Sequence, residues 1–310
     1  MEFSHVPVLA EACMEGLNIR PDGVYIDSTT GGGGHSALIA ERLSGGRLIC
    51  LDRDRDALEA AGKRLAPFGD RVTFVKTNFE DMAERLHELG ITQVDGILYD
   101  LGVSSWQLDS AERGFAYSLP SGLDMRMDRD APLTAREVVN SYPRETLRDI
   151  IARYGEERYA GLIAAAIVRA REKNPVETTT ELSELIIAAM PAAARREKQH
   201  PAKRTFQAIR LEVNGELQAV EKGVEAGIDL LAKNGRIAVI SFHSLEDRLV
   251  KQAFANGARG CTCPKEFPVC VCGNKPRLRL ISKGVITATA QELEENPRSR
   301  SAKLRVAEKL

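Results

Sequence analysis

The chain reads as an α/β protein, a parallel sheet with helices on both faces that carries an inserted helical domain. Three observations predict this. Short apolar runs alternate with helical patterns over the first hundred residues, the same rhythm resumes after about residue 213, and the stretch between shows helical periodicity without a convincing strand. At 310 residues, against a soft prior of about 150 per domain, the chain has room for two compact units or one domain with a large insertion. Hydrophobic residues make up 43% and charged residues 28%, an ordinary globular balance that excludes disordered, collagenous and fibrous classes.

Taken in order, Val24-Tyr25-Ile26 reads as strand, 35–44 as helix, Leu48-Ile49-Cys50-Leu51 as strand and 56–66 as helix. Val72-Thr73-Phe74-Val75 follows as strand, 80–89 as helix and Ile97-Leu98-Tyr99 as the fourth strand. Late in the chain, 215–233 reads as helix, Ile237-Ala238-Val239-Ile240 as strand, 245–255 as helix, and 277–287 and 302–308 as two final strands. In the insertion, Gly155, Asn174-Pro175, Pro191 and Pro201 break a helical pattern. The expected organisation is one domain from 1–107 with 213–310, and a helical insertion over 108–212.

The longest apolar stretches, Leu162 to Val168 and Leu185 to Ala194, fall short of the roughly 20 residues a membrane span needs, so no membrane partner is expected. The N-terminus lacks a basic patch followed by an apolar run, which predicts a cytoplasmic protein whose six cysteines are thiols or metal ligands. The net charge of −1 is unevenly spread: residues 1–100 carry −7, 101–135 carry −2, 136–210 carry +4, 211–250 carry −3 and 251–310 carry +7. Two basic regions on an acidic chain can attract a polyanion; for any one segment taken alone a solvated face is the simpler reading, and position relative to the other motifs decides.

The first strand ends in Asp27 and runs into Ser28-Thr29-Thr30-Gly31-Gly32-Gly33-Gly34-His35-Ser36 before a helix. Consecutive glycines at such a turn let backbone approach a ligand closely, and the helix start offers free N–H groups. Asp52, nineteen residues after Gly33 at the tip of the second strand, can accept both ribose hydroxyls of a nucleoside. A dinucleotide site would have glycine where Ser36 stands, and a P-loop would have Lys-Ser/Thr after the glycines. An acid closing strand one, followed by glycines, suits S-adenosylmethionine instead. Asn78-Phe79 at the third strand end offers a polar group and a ring for an adenine, although Phe79 is equally natural in a core. In an open α/β sheet the ligand crevice lies beyond the carboxyl ends of the strands, where Asp27, Asp52, Phe79 and Asp100 converge.

The remaining motifs make the chain recognisable. Ser4-His5-Val6-Pro7-Val8-Leu9, Gly33-Gly34-His35-Ser36, Leu51-Asp52-Arg53-Asp54, Asp100-Leu101-Gly102-Val103-Ser104-Ser105, Glu112-Arg113-Gly114-Phe115 and Leu123-Asp124-Met125-Arg126-Met127-Asp128 are followed by Tyr154-Gly155-Glu156-Glu157-Arg158. His200 through Ala208, Ser241-Phe242-His243-Ser244-Leu245-Glu246-Asp247 and Asn296-Pro297-Arg298-Ser299-Arg300 complete the set. Together they closely resemble the bacterial 16S rRNA (cytidine-N4)-methyltransferases, the RsmH/MraW family, over nearly the whole chain. The resemblance implies a class I S-adenosylmethionine-dependent methyltransferase fold. It also implies methyl transfer to the N4 amine of a cytidine in the decoding region of 16S rRNA, with the rRNA in the small ribosomal subunit as partner. By family pattern the cofactor is held by Gly33, Gly34, His35, Asp52, Phe79, Asp100 and Gln107, and Asp100 is the catalytic candidate.

Arg195 to Arg210 contains six Lys/Arg against one acid, and Arg195, Arg196, Lys203 and Arg204 are the RNA-binding candidates of an insertion read as an RNA-recognition domain. Phe206 within it can stack on an unpaired base or fill a core. His243 follows the fifth strand, as a pocket residue or a hydrogen-bonded structural one. Cys261, Cys263, Cys270 and Cys272 form a C-x-C, six residues, C-x-C pattern that can supply a structural Zn²⁺ site or four free thiols. Carbon-5 methylation of cytosine requires a cysteine nucleophile, and none follows strand four. A nicotinamide oxidoreductase and a non-catalytic RNA-binding assembly factor are the rival readings.

Overall fold

The computed structural model describes residues 7–264, 266–282 and 284–310, so Ser4-His5-Val6 of the first motif lies outside the described residues. The elements begin α1 (Ala10–Leu17), β1 (Val24–Asp27), α2 (Gly34–Glu41), β2 (Arg47–Asp52), α3 (Arg55–Leu65), β3 (Val72–Lys76), α4 (Met82–Glu88) and β4 (Val94–Asp100). Next come α5 (Ser105–Asp109), α6 (Ala135–Ser141), α7 (Arg144–Gly155), α8 (Ala160–Arg171), α9 (Thr179–Ala189) and α10 (Lys203–Asn214). The chain closes with α11 (Glu216–Leu230), β5 (Leu231–Ser241), α12 (Ser244–Gly257), β6 (Leu278–Leu280), α13 (Ala290–Glu295) and β7 (Lys303–Lys309). Described residues up to Gly102, with Leu217–Leu310, form one compact unit; Val103–Glu216 form another. Among the described residues no helix is long and apolar enough to cross a membrane.

In the first unit a seven-stranded sheet runs β3-β2-β1-β4-β5-β7-β6. Strands β1 to β5 pair in parallel. β7 departs from the expected parallel sheet, since it lies antiparallel between β5 and β6. The continuous apolar runs arise because both faces are covered. Ile26, Ile49, Leu51, Ile97, Tyr99, Ile237 and Val239 join one core with residues of α4 and α11. Their alternates Tyr25, Leu48, Cys50, Leu98, Ala238 and Ile240 join the other with α1 and α2. The buried Tyr99 hydroxyl is satisfied by donating to the Gly223 carbonyl at 2.6 Å.

The expected strand over 277–287 shrinks to Leu278–Leu280 at the sheet edge. Only Leu278 there has a core to enter, while Arg279 and Leu280 are exposed, so little holds the following residues in a ladder. The chain returns at one bridge, Ile286 to Leu304. α1 and α13, neither of which the periodicity brought out, are tied together by Leu9 N–H donating to Glu292 at 2.6 Å.

The second unit is helical around a single core that includes Val138, Leu147, Ile151, Ile163, Ile186, Phe206 and Ile209. No strand is named in it among the described residues, only an isolated bridge between Gly122 and Thr178. Gly155 ends α7 where a Cβ would stand 2.7 Å from the Arg204 carbonyl oxygen, which lets α7 and α10 approach closely.

Candidate active site

Sheet order reverses between β1 and β4, and the chain crosses this point in the turn after Asp27. Ser28 N–H donates to the Leu98 carbonyl at 2.9 Å and Thr30 N–H to the Leu51 carbonyl at 3.0 Å, tying the turn to both neighbouring strands. Gly33 caps α2 with φ of +77°, and a Cβ there would lie 3.2 Å from Cα and Cβ of Ala61. A Cβ on Gly34 would stand 2.8 Å from Pro7. A side chain at either position would therefore push the turn off its neighbours.

Three carboxyls stand at consecutive places along this edge. Asp27 is buried; it accepts from Ser36 Oγ at 2.6 Å and from Thr29 N–H at 3.3 Å, yet burial pushes its pKa above the carboxylate range. Ser36, where a dinucleotide fold would have glycine, thus serves as the partner of Asp27. Asp52 accepts from Gly31 N–H at 2.8 Å and Asp54 N–H at 2.9 Å, one bond on each oxygen, and burial pushes it up to about 6. Asp100 is pushed up to about 7, first by burial and then by the Glu246 charge. Its backbone N–H donates to Thr29 Oγ1 at 2.6 Å, while its buried Oδ1 has no hydrogen-bond partner.

His35, near the start of α2, is buried with Nε2 2.9 Å from the Val8 carbonyl and Nδ1 3.5 Å from Asp100 Oδ2. A carbonyl only accepts, so Nε2 must carry hydrogen. Burial lowers the histidine's pKa, which leaves the ring neutral with a bare Nδ1 facing Asp100. Nδ1 and Oδ2 therefore face each other as two acceptors unless one proton lies between them.

At the third strand end, Phe79 is buried edge-to-face on Tyr99, ring centroids 5.6 Å apart, and packs so tightly on α11 that a Cβ on Gly223 would meet it at 2.4 Å. The ring thus packs on the core beside the third strand end. Neighbouring Asn78 donates to Glu80 at 2.6 Å and leaves a buried Oδ1 without a partner. At the fifth, Glu246 is buried and accepts from Phe242 N–H at 2.9 Å. His243 caps α12: its Nδ1 accepts from Glu246 N–H at 3.4 Å, and its Nε2 lies 3.1 Å from Glu246 Oε1 without the alignment of a hydrogen bond. That favours the structural reading of His243. Glu246 escaped the sequence reading as a site residue; the His-x-x-Glu spacing at a helix start was its only signal, an unusual capping box.

Gln107 belongs to the helical unit, buried on α5, where its Oε1 accepts from Ser104 N–H at 3.1 Å in a capping box. Arg195, Arg196 and Lys203 are exposed, and Arg204 is half-buried. Arg195 donates to the Met190 carbonyl at 2.8 Å and Arg204 to the Glu156 carbonyl at 3.4 Å. Phe206 is buried edge-to-face on Tyr117, whose ring also stacks on His200 at 4.3 Å. This corrects the base-stacking alternative for Phe206, because its ring is needed by the helical core. The sulfurs of Cys261, Cys263, Cys270 and Cys272 lie within 4.8 Å of one another.

Comparison with known proteins places the chain among RNA-modifying enzymes. A protein of Symbiobacterium thermophilum called ribosomal RNA small subunit methyltransferase H is 56% identical over 311 residues, covering 100% of this chain and 98% of its own. One of the same name from Carboxydothermus hydrogenoformans is 56% identical over 310 residues, covering 100% and 99%. The crystal structure of an rRNA methylase from Streptococcus thermophilus aligns over 97% of this chain and 93% of its own at 11% identity, with a TM-score of 0.43. The sequence profile of the MraW methylase family matches residues 2–310.

Proposed function

The chain belongs to the MraW methylase family, and from that membership we propose that it transfers the methyl group of S-adenosylmethionine to the N4 amine of a cytidine in the decoding region of 16S rRNA. The target is the rRNA of the cytoplasmic small ribosomal subunit. The names of the relatives support small-subunit rRNA as substrate; the nitrogen and the nucleotide follow from the family resemblance.

The observation that carries the choice of cofactor is the row of carboxyls, Asp27 buried and Asp52 and Asp100 half-buried, all raised in pKa at the turn where sheet order reverses. Burial makes their ionised forms costly, and a bound cation offsets that cost, whereas a pyrophosphate adds to it. S-adenosylmethionine supplies an electrophilic methyl on a positively charged sulfonium. The residues present fit it: each Asp52 oxygen holds one backbone N–H and keeps a lone pair for a ribose hydroxyl, and Asp100 Oδ1 and Asn78 Oδ1 are buried acceptors in need of donors. Gly33, Gly34, His35 and Phe79 complete the set in this unit. Gln107, of the helical unit, is a cofactor residue by family pattern alone.

For the chemistry, the cytidine amine must present a lone pair that is delocalised into its ring. A carboxylate gripping the amino hydrogens favours the pyramidal nitrogen, and Asp100 is the group we assign to this. The amine sheds one proton after transfer. Asp100 takes it and shares it with the bare Nδ1 of His35. Holding the reactants in near-attack geometry can supply about 7–11 kcal/mol of the acceleration without further chemistry from the protein. The basic stretch at Arg195, Arg196, Lys203 and Arg204 is assigned to the RNA phosphates.

Incubation with unmethylated 30S particles and with naked 16S rRNA, followed by nucleoside mass spectrometry, tests the reading. The expected product is N4-methylcytidine, formed on the assembled particle. S-adenosylmethionine should raise the thermal midpoint and NAD should not. Recovery of 5-methylcytidine, or of no methylated nucleoside from either substrate, sinks it.

A further inference from the structure

Outside the strand-end site, the densest cluster of chemistry-bearing side chains lies in the exposed segment between α12 and β6. We propose that Cys261, Cys263, Cys270 and Cys272 bind one structural Zn²⁺ through four thiolates. The two Cys-x-Cys arms lie on irregular, non-helical backbone. On extended chain, residues i and i+2 face the same side, so a one-residue spacer lets both sulfurs of an arm point together where a helix would turn them apart.

The two arms face each other. Sγ to Sγ distances are 3.3 Å for Cys261 and Cys270, 3.6 Å for Cys270 and Cys272, and 3.7 Å for Cys272 and Cys261, with all four inside 4.8 Å. A tetrahedral site with Zn–S of about 2.3 Å places its sulfurs about 3.8 Å apart. Backbone N–H groups are already aimed at the sulfurs across the arms: Thr262 at Cys272, and Val271 and Cys272 at Cys263, each at 3.3 Å. Such donors stabilise thiolate over thiol and orient a ligand, the work of groups around a metal centre. Asn274 ties the base of the loop by donating to the carbonyls of Arg259 at 3.0 Å and Gly260 at 2.7 Å.

The loop also needs such a tie. The described residues from Cys261 to Pro276 are exposed or half-exposed, so no apolar burial offsets the entropy of ordering them. Four thiolates saturate the ion and leave no open position for a substrate, which makes the site structural. Binding releases the thiol protons to solvent as the Zn–S bonds form; no oxidant is required.

Full-length protein, purified under reducing conditions without chelator, should contain about one zinc per chain. Exchange with Co²⁺ should give the intense visible absorption of tetrahedral thiolate coordination. Cys261→Ser with Cys272→Ser should remove the metal and the hydrogen-exchange protection around 257–277, while S-adenosylmethionine binding persists as proof of a folded sheet. If that variant does not fold, stripping the wild type with a chelator and restoring it with Zn²⁺ gives the same readout, loss and return of loop protection. Protein that takes up neither Zn²⁺ nor Co²⁺, a Cys261–Cys270 disulfide in place of free thiols, or full metal content in the double variant overturns the proposal.

Discussion

At the strand ends of the sheet unit, Asp27, Asp52 and Asp100 are carboxyls whose charge burial opposes; Asp27 and Asp52 are each held by two named donors, and one oxygen of Asp100 has no partner at all. In the helical unit, Arg195, Arg196 and Lys203 stand in solvent with their charge unopposed. Interactions in the first setting are few, strong and unscreened. Those in the second are many, weak and salt-dependent. Removing one group should therefore be decisive at the strand ends and nearly silent in the basic stretch, where only several changes together should register.

Asp100 gives the sharpest break. Asp100→Ala should lower single-turnover methylation by about 10²–10⁴, the range expected for a positioned acid–base group, and weaken cofactor binding too. Asp100→Asn keeps the shape and an acceptor oxygen, so binding should survive better than turnover. Because burial already penalises the native charge, the Asn variant should melt no lower than the wild type. Full turnover in Asp100→Ala would show that the strand ends are no more sensitive than the surface.

Asp52 should follow. On the ribose assignment proposed above, Asp52→Ala removes two charge-assisted hydrogen bonds, each worth about 1.5–3 kcal/mol, for a loss of affinity of about a hundredfold or more by calorimetry. The same side chain holds Gly31 and Asp54 N–H groups, so Asp52→Asn is the gentler control that keeps the turn in place. An unchanged Kd in both variants overturns the ribose assignment.

Both sites were unequally legible before the structure. The parallel core announced itself because strands buried on both faces read as unbroken apolar runs, and the strand-end acids because each closes such a run at Asp27, Asp52 and Asp100. Contacts across strands were not readable. Nothing in the spacing says that Glu246 raises Asp100, that Ser36 partners Asp27, or that Val8 dictates the tautomer of His35. The edge was misread for a related reason: alternation over 277–287 suggests a strand, but only burial decides whether alternation has a face to fill, and after Leu278 the exposed Arg279, Leu280 and Ile281 have none until Ile286 meets the core again. Phe206 shows the same limit from the other side, an aromatic among cations whose burial against Tyr117 only the fold reveals.

A smaller effect tests the other pole of the comparison. Neutralising Arg195, Arg196, Lys203 and Arg204 together should raise the RNA Kd and flatten its salt dependence by roughly 0.7–0.9 in log–log slope per lost phosphate contact, with cofactor affinity unchanged. Single substitutions should be near the limit of detection. A salt slope indifferent to all four changes would reduce the stretch to a solvated face.

The smallest effect is the most discriminating, because the acids of the two regions pull stability in opposite directions with pH. Asp52 and Asp100 titrate near 6 and 7 when folded, against about 3.9 for an unfolded aspartate. Between pH 4 and 7 the folded state thus binds more protons than the unfolded one. The stability these acids contribute is complete below about pH 4 and is lost as pH rises through 6 and 7. In the helical unit the sign reverses. Burial pushes Asp124 up, but the Arg126 hydrogen bonds outweigh it and hold its pKa below the usual value; Arg136 does the same for the exposed Glu177. Their contribution is present above the unfolded pKa and fades only as pH falls below about 4. Asp247 and Glu308 of the sheet unit, also lowered once Arg305 and Arg236 outweigh burial, act in that same acid range. In the window from 4 to 7 the strand-end site therefore responds as a cluster: its acids lose stability as pH rises, and His35, whose pKa burial lowers, opposes them by one group. Hydrogen exchange, corrected for intrinsic rates, should show protection of β1, β2 and β4 falling by up to a few kcal/mol across this window while α7, α8 and α10 hold steady. Adding S-adenosylmethionine should restore it, since a bound sulfonium favours the ionised carboxyls. Equal loss in both units, or none, would mean that the strand-end acids are relieved by solvent and that the contrast between the two regions is one of position rather than of charge.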